Sequence, residues 1–192
     1  VTLRVNCTYG HTEALGSVSR DFHEGTVYAL TGPNGCGKST LLATIAGEIS
    51  PLEGEIMVGS SDTRAGRTGV ILISDPIFLP DLTVGEHLDL IKIGLEEKEE
   101  VVEAWALHNI LHAPLWALSS GQRQRAYLGM HLGLEAPAML IDEPERHLDE
   151  RWTDFLASYL HLIAEKGTCV LVATHSSRVA EACHEVLRVG EA

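Results

Sequence analysis

Short apolar runs separated by turn residues set the rhythm of this chain. Val27 to Thr31, Gly69 to Ile73, Ala138 to Ile141 and Cys169 to Ala173 are nearly continuous in apolar residues, which predicts strands buried on both faces of a parallel sheet. Val1 to Val5 and the residues around Val18 predict two further strands joined by a polar turn at Tyr9 to Thr12. Glu55 to Val58 follows the turn signal Ser50-Pro51-Leu52-Glu53-Gly54 and predicts a third. These last three suggest a small antiparallel sheet beside the main one. Helical spacing covers Ser39 to Ala46, Leu95 to His112 and Ser119 to Leu134. In the second of these, Val101, Ala104, Trp105 and Leu111 share an arc from which Val102 and Ile110 depart. The acidic run Glu96 to Glu100 suits its first, solvated turn, and the serines at 119 and 120 suit the start of the third. The expected fold is α/β: one domain over 1–192, with a core from 1–80 and 135–192 and an inserted helical subdomain over 81–134.

Composition narrows the class without naming a function. With 45% hydrophobic and 21% charged residues over 192 positions, the chain can bury a sizeable core. Its net charge of −13 disfavours phosphate backbones, so no nucleic-acid partner is expected. Neither a membrane-spanning run nor a secretory signal is evident, so a cytoplasmic chain is expected. Cys7, Cys36, Cys169 and Cys183 form no metal-binding or CxxC spacing and read as reduced thiols. His108 and His112 lack the glutamate and third ligand that a zinc helix would carry, and Trp105, Trp116 and Trp152 read as packing residues.

The sharpest chemistry lies between the Val27 strand and the Ser39 helix. Gly32-Pro33-Asn34-Gly35-Cys36-Gly37-Lys38-Ser39-Thr40 satisfies GxxxxGK[ST] in full. Its glycines let successive N–H groups curl toward phosphate oxygens, and the following helix start adds a favourable dipole. Lys38 supplies charge to the β- and γ-phosphates, and Ser39 a hydroxyl for Mg²⁺. A nucleoside triphosphate is the natural ligand. Further along, the apolar run ending in Asp142-Glu143-Pro144 places two carboxylates at a strand's C-terminal end. There Asp142 can serve the Mg²⁺ shell and Glu143 can polarise an attacking water.

Leu118-Ser119-Ser120-Gly121-Gln122, shortly before the Asp-Glu strand, resembles the LSGGQ signature of ABC ATPases, with Ser120 in place of a glycine. The order of motifs is the family's too, and the resemblance covers nearly the whole chain. It implies a P-loop NTPase (RecA-like) core and the role of ATP-hydrolysing subunit of a transporter. ATP and Mg²⁺ would be its cofactors, and it would sit on the inner face of the cell membrane. It also implies two partners: a membrane-spanning subunit, and a second ATPase chain, a homodimer being the default. In such a pair Ser119, Ser120, Gly121 and Gln122 of one copy cap the triphosphate on the other. The resemblance further implies that Tyr9 stacks on adenine, that His175 contacts the γ-phosphate, and that Leu148-Asp149 ends the D-loop facing the opposite subunit.

Two departures stand out. Ser74 occupies the position of the glutamine that reaches Mg²⁺ and the lytic water; its hydroxyl is shorter and would need a bridging water. Glu145-Arg146-His147 replaces small residues before Leu148-Asp149, which predicts unusual contacts at a subunit seam, a preference for a different partner chain, or plain exposed substitutions. A soluble ABC ATPase outside transport and a weakly hydrolysing nucleotide sensor are the alternative functions. Glu143, Lys38 and His175 weigh against the sensor, and Ser74 weighs faintly for it.

Overall fold

The computed structural model describes residues 3–59, 61–62, 69–91 and 94–190, with backbone alone at 61–62. The predicted first strand reaches back to Val1 and Thr2, which lie outside the described residues, as do 92–93 of the predicted helical subdomain. In chain order the strands are β1 (Leu3–Gly10), β2 (Ala14–Phe22), β3 (Val27–Thr31), β4 (Glu53–Val58), β5 (Ser61–Asp62), β6 (Val70–Ile73), β7 (Ala138–Asp142), β8 (Cys169–Ala173) and β9 (Glu185–Arg188). The helices are α1 (Lys38–Ala46), α2 (Val84–Leu90), α3 (Leu95–Ala104), α4 (Ser120–Leu132), α5 (Glu150–Glu165) and α6 (Ser177–Ala182). They form two compact units, Val1–Ser74 with Ala136–Glu145 and Trp152–Ala192, and Asp75–Glu135 with Arg146–Arg151.

The first unit contains both sheets. One is antiparallel in the order β2-β1-β4-β5; the other, in the order β6-β7-β8-β3-β9, is parallel throughout. Period-two alternation drives Leu3, Val5, Cys7 and Tyr9 of β1 inward, while Arg4 and Asn6 are exposed and Thr8 is half-buried. Strand β8 is buried at every position, as its unbroken apolar run predicts. By contrast β6, expected to be covered on both faces, is an edge strand with only Ile73 fully buried, because β7 flanks it on one side alone. Helix α1 touches β1 as well as β6, β7 and β8, and its Leu41, Leu42 and Ile45 join one apolar core with residues of both sheets. Helix α5 turns Leu156, Ala157, Leu160, Ile163 and Ala164 inward at helical spacing.

The second unit is helical. The run expected as one helix from Leu95 to His112 ends at Ala104. Ala106 adopts a left-handed φ of 50°, and the N–H of Leu107 reaches back 2.9 Å to the carbonyl of Val102, the i−5 bond of a Schellman ending. A short 3₁₀ turn at His108–Ile110 follows. Packing explains this break against propensity: Trp105 is fully buried, with its indole lying over Gly129 of α4. Its carbonyl accepts from Nη1 of Arg125 at 3.1 Å. Helix α2, which the apolar pattern alone does not announce, is closed by a capping box. The Thr83 hydroxyl accepts from Glu86 N, and Glu86 accepts from Thr83 N at 2.7 Å.

Because Trp105 anchors that break, Trp105→Ala is expected to destabilise the chain by about 3–5 kcal/mol. Chemical denaturation followed by circular dichroism checks it; a loss below about 1 kcal/mol would show that the indole is not the anchor.

Candidate active site

Parallel pairing gathers the C-terminal ends of all five strands of the main sheet on one edge. Leu30 of β3 pairs with Ala173 of β8, Ala173 pairs with Asp142 of β7, and Ile73 of β6 pairs with Ile141. The residues just past that row are therefore neighbours in space across four strands. They are Ser74 after β6, Asp142 and Glu143 at the end of β7, Thr174 and His175 after β8, and the phosphate loop after β3.

The loop is anchored from below and from within. Lys38, 6% exposed, directs Nζ to the carbonyls of Gly32 at 2.9 Å and Pro33 at 3.2 Å. Gly37 precedes α1 with a left-handed φ of 95° and contributes no side-chain cap, so the first-turn N–H groups remain uncapped by the protein's own side chains. A Cβ at Gly37 would lie 2.9 Å from Cε2 of Tyr9 and 3.2 Å from Cβ of Leu15. Glycine is thus demanded twice here, by φ and by space.

That contact corrects the reading of Tyr9. The expected turn residue with an open ring face is instead the fourth inward side chain of β1, only 1% exposed. Its ring sits between Gly16 and Gly37, and burial, with Cys36 and Cys7 nearby, pushes the phenol pKa up. No ring face is open to a base in this arrangement. Leu15 of β2, 43% exposed and touching the same side of Gly37, presents apolar surface beside the loop.

Glu143 follows β7 with a φ of 45°, a conformation rare outside glycine and often retained where a side chain must be aimed. Its N–H donates to the carbonyl of Ala173 at 2.8 Å. From that position Oε1 lies 3.0 Å from Nε2 of His175, an ion pair whenever the imidazole is protonated. The residues that could hold Mg²⁺ are the exposed hydroxyl of Ser39 and the half-buried carboxylate of Asp142, both hard oxygen donors. Among the described residues no three His, Cys, Asp or Glu side chains form a metal-binding group. Mg²⁺ takes one or two protein ligands and completes its shell with phosphate and water. Ser74 is exposed.

In the second unit, the signature opens α4 as expected. Ser119 is the N-cap, accepting from Gln122 N at 3.2 Å while Gln122 Oε1 accepts from Ser119 N at 2.9 Å. This reciprocal pair occupies Ser119 and Gln122, and leaves the N–H groups of Ser120 and Gly121 as the uncapped donors of the first turn. A Cβ on Gly121 would come within 2.9 Å of the carbonyl of His147, so the D-loop backbone approaches the signature too closely for a side chain there.

The segment before Leu148-Asp149 makes contacts within its own chain. Arg146 donates through Nη1 to Asp75 at 2.6 Å, and Glu145 bonds to the turn after β8. Glu145 is therefore not a plain exposed substitution, whereas Arg146 is exposed and ion-paired. The partner of Glu145 sits 29 positions away and carries no motif of its own beyond His175, so no spacing signal could have disclosed it.

These features define a P-loop nucleoside triphosphatase built on a parallel sheet. Residues 15–146 match the ABC transporter family, and the chain belongs to it as an ATP-binding, ATP-hydrolysing cassette. The thiamine import ATP-binding protein ThiQ of Photobacterium profundum is 36% identical over 181 residues, spanning 86% of this chain and 75% of its own. A solved ATP-binding subunit of an ABC transporter matches with a TM-score of 0.87 at 27% identity, over 98% of this chain and 86% of its own. A dimeric ATP-binding cassette in a post-hydrolysis state, bound to ADP and Pi, shares the fold with a TM-score of 0.82 at 24% identity, over 97% of this chain and 94% of its own.

Gly37→Ala forces a strained φ and a clash with the Tyr9 ring at once. The expected result is ATP affinity lowered by about tenfold or more. Equilibrium titration with a fluorescent ATP analogue checks it, and unchanged affinity would show that the loop adapts freely.

Proposed function

We propose that this chain powers a separate membrane-spanning transporter subunit through ATP-dependent pairing of two cassettes. In this reading 1–192 is one ABC ATPase domain, with the nucleotide-binding core in 1–80 and 135–192 and the helical subdomain in 81–134. The observation that carries it is the juxtaposition of the phosphate loop, the Asp142-Glu143 carboxylates and His175 along one sheet edge. Kinship to an import ATP-binding protein supports the transporter context. No helix among the described residues is long and apolar enough to cross a membrane, so the proposed place is peripheral, on the inner face of the membrane, held there by the partner.

The roles follow from chemistry. Residues Gly32 to Thr40 cradle the triphosphate through backbone N–H groups, and Lys38 exchanges its loop carbonyls for phosphate oxygens. Ser39 and Asp142 would hold Mg²⁺, Ser74 contributing through a bridging water; when bound, the ion would neutralise developing phosphate charge. Glu143 orients and deprotonates the attacking water. His175 holds the carboxylate of Glu143 before nucleotide binds and turns to the γ-phosphate afterwards.

Ser119, Ser120, Gly121 and Gln122 of a second copy cap that phosphate, the uncapped N–H groups at the start of α4 serving as donors. The ADP-bound dimeric fold neighbour supplies a precedent for the pairing. Two identical chains are the simplest such assembly. Once hydrolysis removes the phosphate linking the halves, the pair opens and moves its partner.

Glu143→Gln should lower ATP turnover by about a hundredfold or more while leaving binding intact, and so accumulate an ATP-loaded pair. Size-exclusion chromatography with light scattering checks this; a species that stays single under saturating ATP would overturn the proposed assembly. Ser74→Gln restores the longer side chain and is expected to raise basal or partner-stimulated hydrolysis by about tenfold. Equal rates in both assays would mean that Ser74 limits neither.

A further inference from the structure

The carboxylate of Glu145 reaches from the turn after β7 to the turn after β8. Its Oε1 accepts three hydrogen bonds: from the Thr174 hydroxyl at 2.5 Å, from His175 N at 3.1 Å and from Ser176 N at 3.2 Å. Ser176 N is also within 3.0 Å of the Thr174 hydroxyl, so these groups form one small network. Two consecutive N–H groups aimed at one oxygen hold the two peptide planes that flank the Cα of His175. Those planes set the direction in which the His175 side chain leaves the backbone. The imidazole then meets Oε1 of Glu143 at 3.0 Å.

Other features show that this grip is not incidental. Thr174 is 1% exposed, so its hydroxyl has no ready solvent substitute for the Glu145 oxygen. The second oxygen of Glu145, Oε2, is buried and has no hydrogen-bond partner among the described residues. Withdrawing a carboxylate oxygen from water without a partner is destabilising, and a small neutral residue would avoid that penalty. The compensating feature is the control that Oε1 exerts on the turn carrying His175. None of the three bonds involves the phosphate loop.

We infer that Glu145 is a positioning residue for His175: it locks the turn after β8 so that the imidazole is presented to Glu143 and to the reacting phosphate. Hydrolysis depends on it and ATP binding does not. The inference rests on the proposed role of His175.

Steady-state ATP hydrolysis by the intact protein tests it with Glu145→Ala, Glu145→Met, Glu145→Gln, His175→Ala and the double variant His175→Ala/Glu145→Ala. Methionine keeps the side-chain length but removes the acceptor. In both the Ala and Met variants kcat is expected to fall by about tenfold or more, with KM for ATP within about twofold. Glu145→Gln should recover kcat to within about threefold, because an amide oxygen accepts from the same donors. The double variant should be no slower than His175→Ala alone, as expected for residues acting in series. If Glu145→Ala does not fold, Glu145→Met and Thr174→Val, which removes one donor and keeps the shape, carry the test with the same kcat-only loss.

A wild-type kcat in Glu145→Met beside a slow His175→Ala overturns the positioning role and leaves the histidine reading standing. A wild-type kcat in His175→Ala removes the histidine reading and this inference with it. A rise in KM that accounts for the loss, failure of glutamine to rescue, or an additive loss in the double variant each overturns the inference.

Discussion

The parallel register of the main sheet is the constraint on which the rest of this molecule depends. Pairing of Leu30 with Ala173 and of Ala173 with Asp142 sets the ends of three strands level. A slip of one residue would displace a strand-end group by about 3.3 Å and turn its side chain to the opposite face. The interior of the sheet is what forbids that slip. Strand β8 is buried at each of its positions and β7 along nearly all of its length, so any shifted register would present the wrong side chains to the packing around them. Apolar packing well inside the sheet thereby determines the relative height of polar groups at its edge.

Polar groups enter only where the strands stop. At that edge the backbone departs from regular geometry in two telling places, the left-handed turn at Gly37 and the φ of 45° at Glu143. The first leaves helix N–H groups uncapped and is supported underneath by the ring of Tyr9; the second points a carboxylate at an imidazole. Tyr9 thus illustrates how one residue type can serve opposite purposes. On an exposed turn its ring would be a platform for a base, whereas at the inward end of β1 it becomes the floor of the phosphate loop. The alternation of β1 decides between them, because a residue two positions beyond Cys7 must face the same way.

The departures from the family pattern have the same physical character. Serine at position 74 shortens a side chain where the resemblance implies a long one, and Glu145 and Arg146 lengthen side chains where it implies short ones. The long ones fold back onto their own chain, Arg146 to Asp75 and Glu145 to the turn bearing His175. Hydrogen bonds to a charged acceptor are stronger than neutral ones, so a carboxylate with three donors holds its turn more firmly than a small hydroxyl could.

Much of this was legible in the residues themselves, for a definite reason. The phosphate loop, the Asp-Glu pair and the signature are local: each needs only a few consecutive residues and a flanking strand or helix, so spacing alone discloses the chemistry. The buried strands β3, β7 and β8 were equally plain as strands, since a continuous apolar run of that length bounded by turn residues suits one. Sequence by itself also determined the family, because those motifs recur in one order along the chain. Tertiary structure alone decided what depended on partners distant in sequence. Strand order made β6 an edge strand. Burial of Trp105 ended α3 where helical spacing would have continued it. The inward face of β1 closed over the ring of Tyr9. Glu145, 29 positions from Thr174, met its hydrogen-bond partners only when β7 and β8 paired. In each case the deciding energy belongs to a contact between elements, and no pattern within one element encodes it.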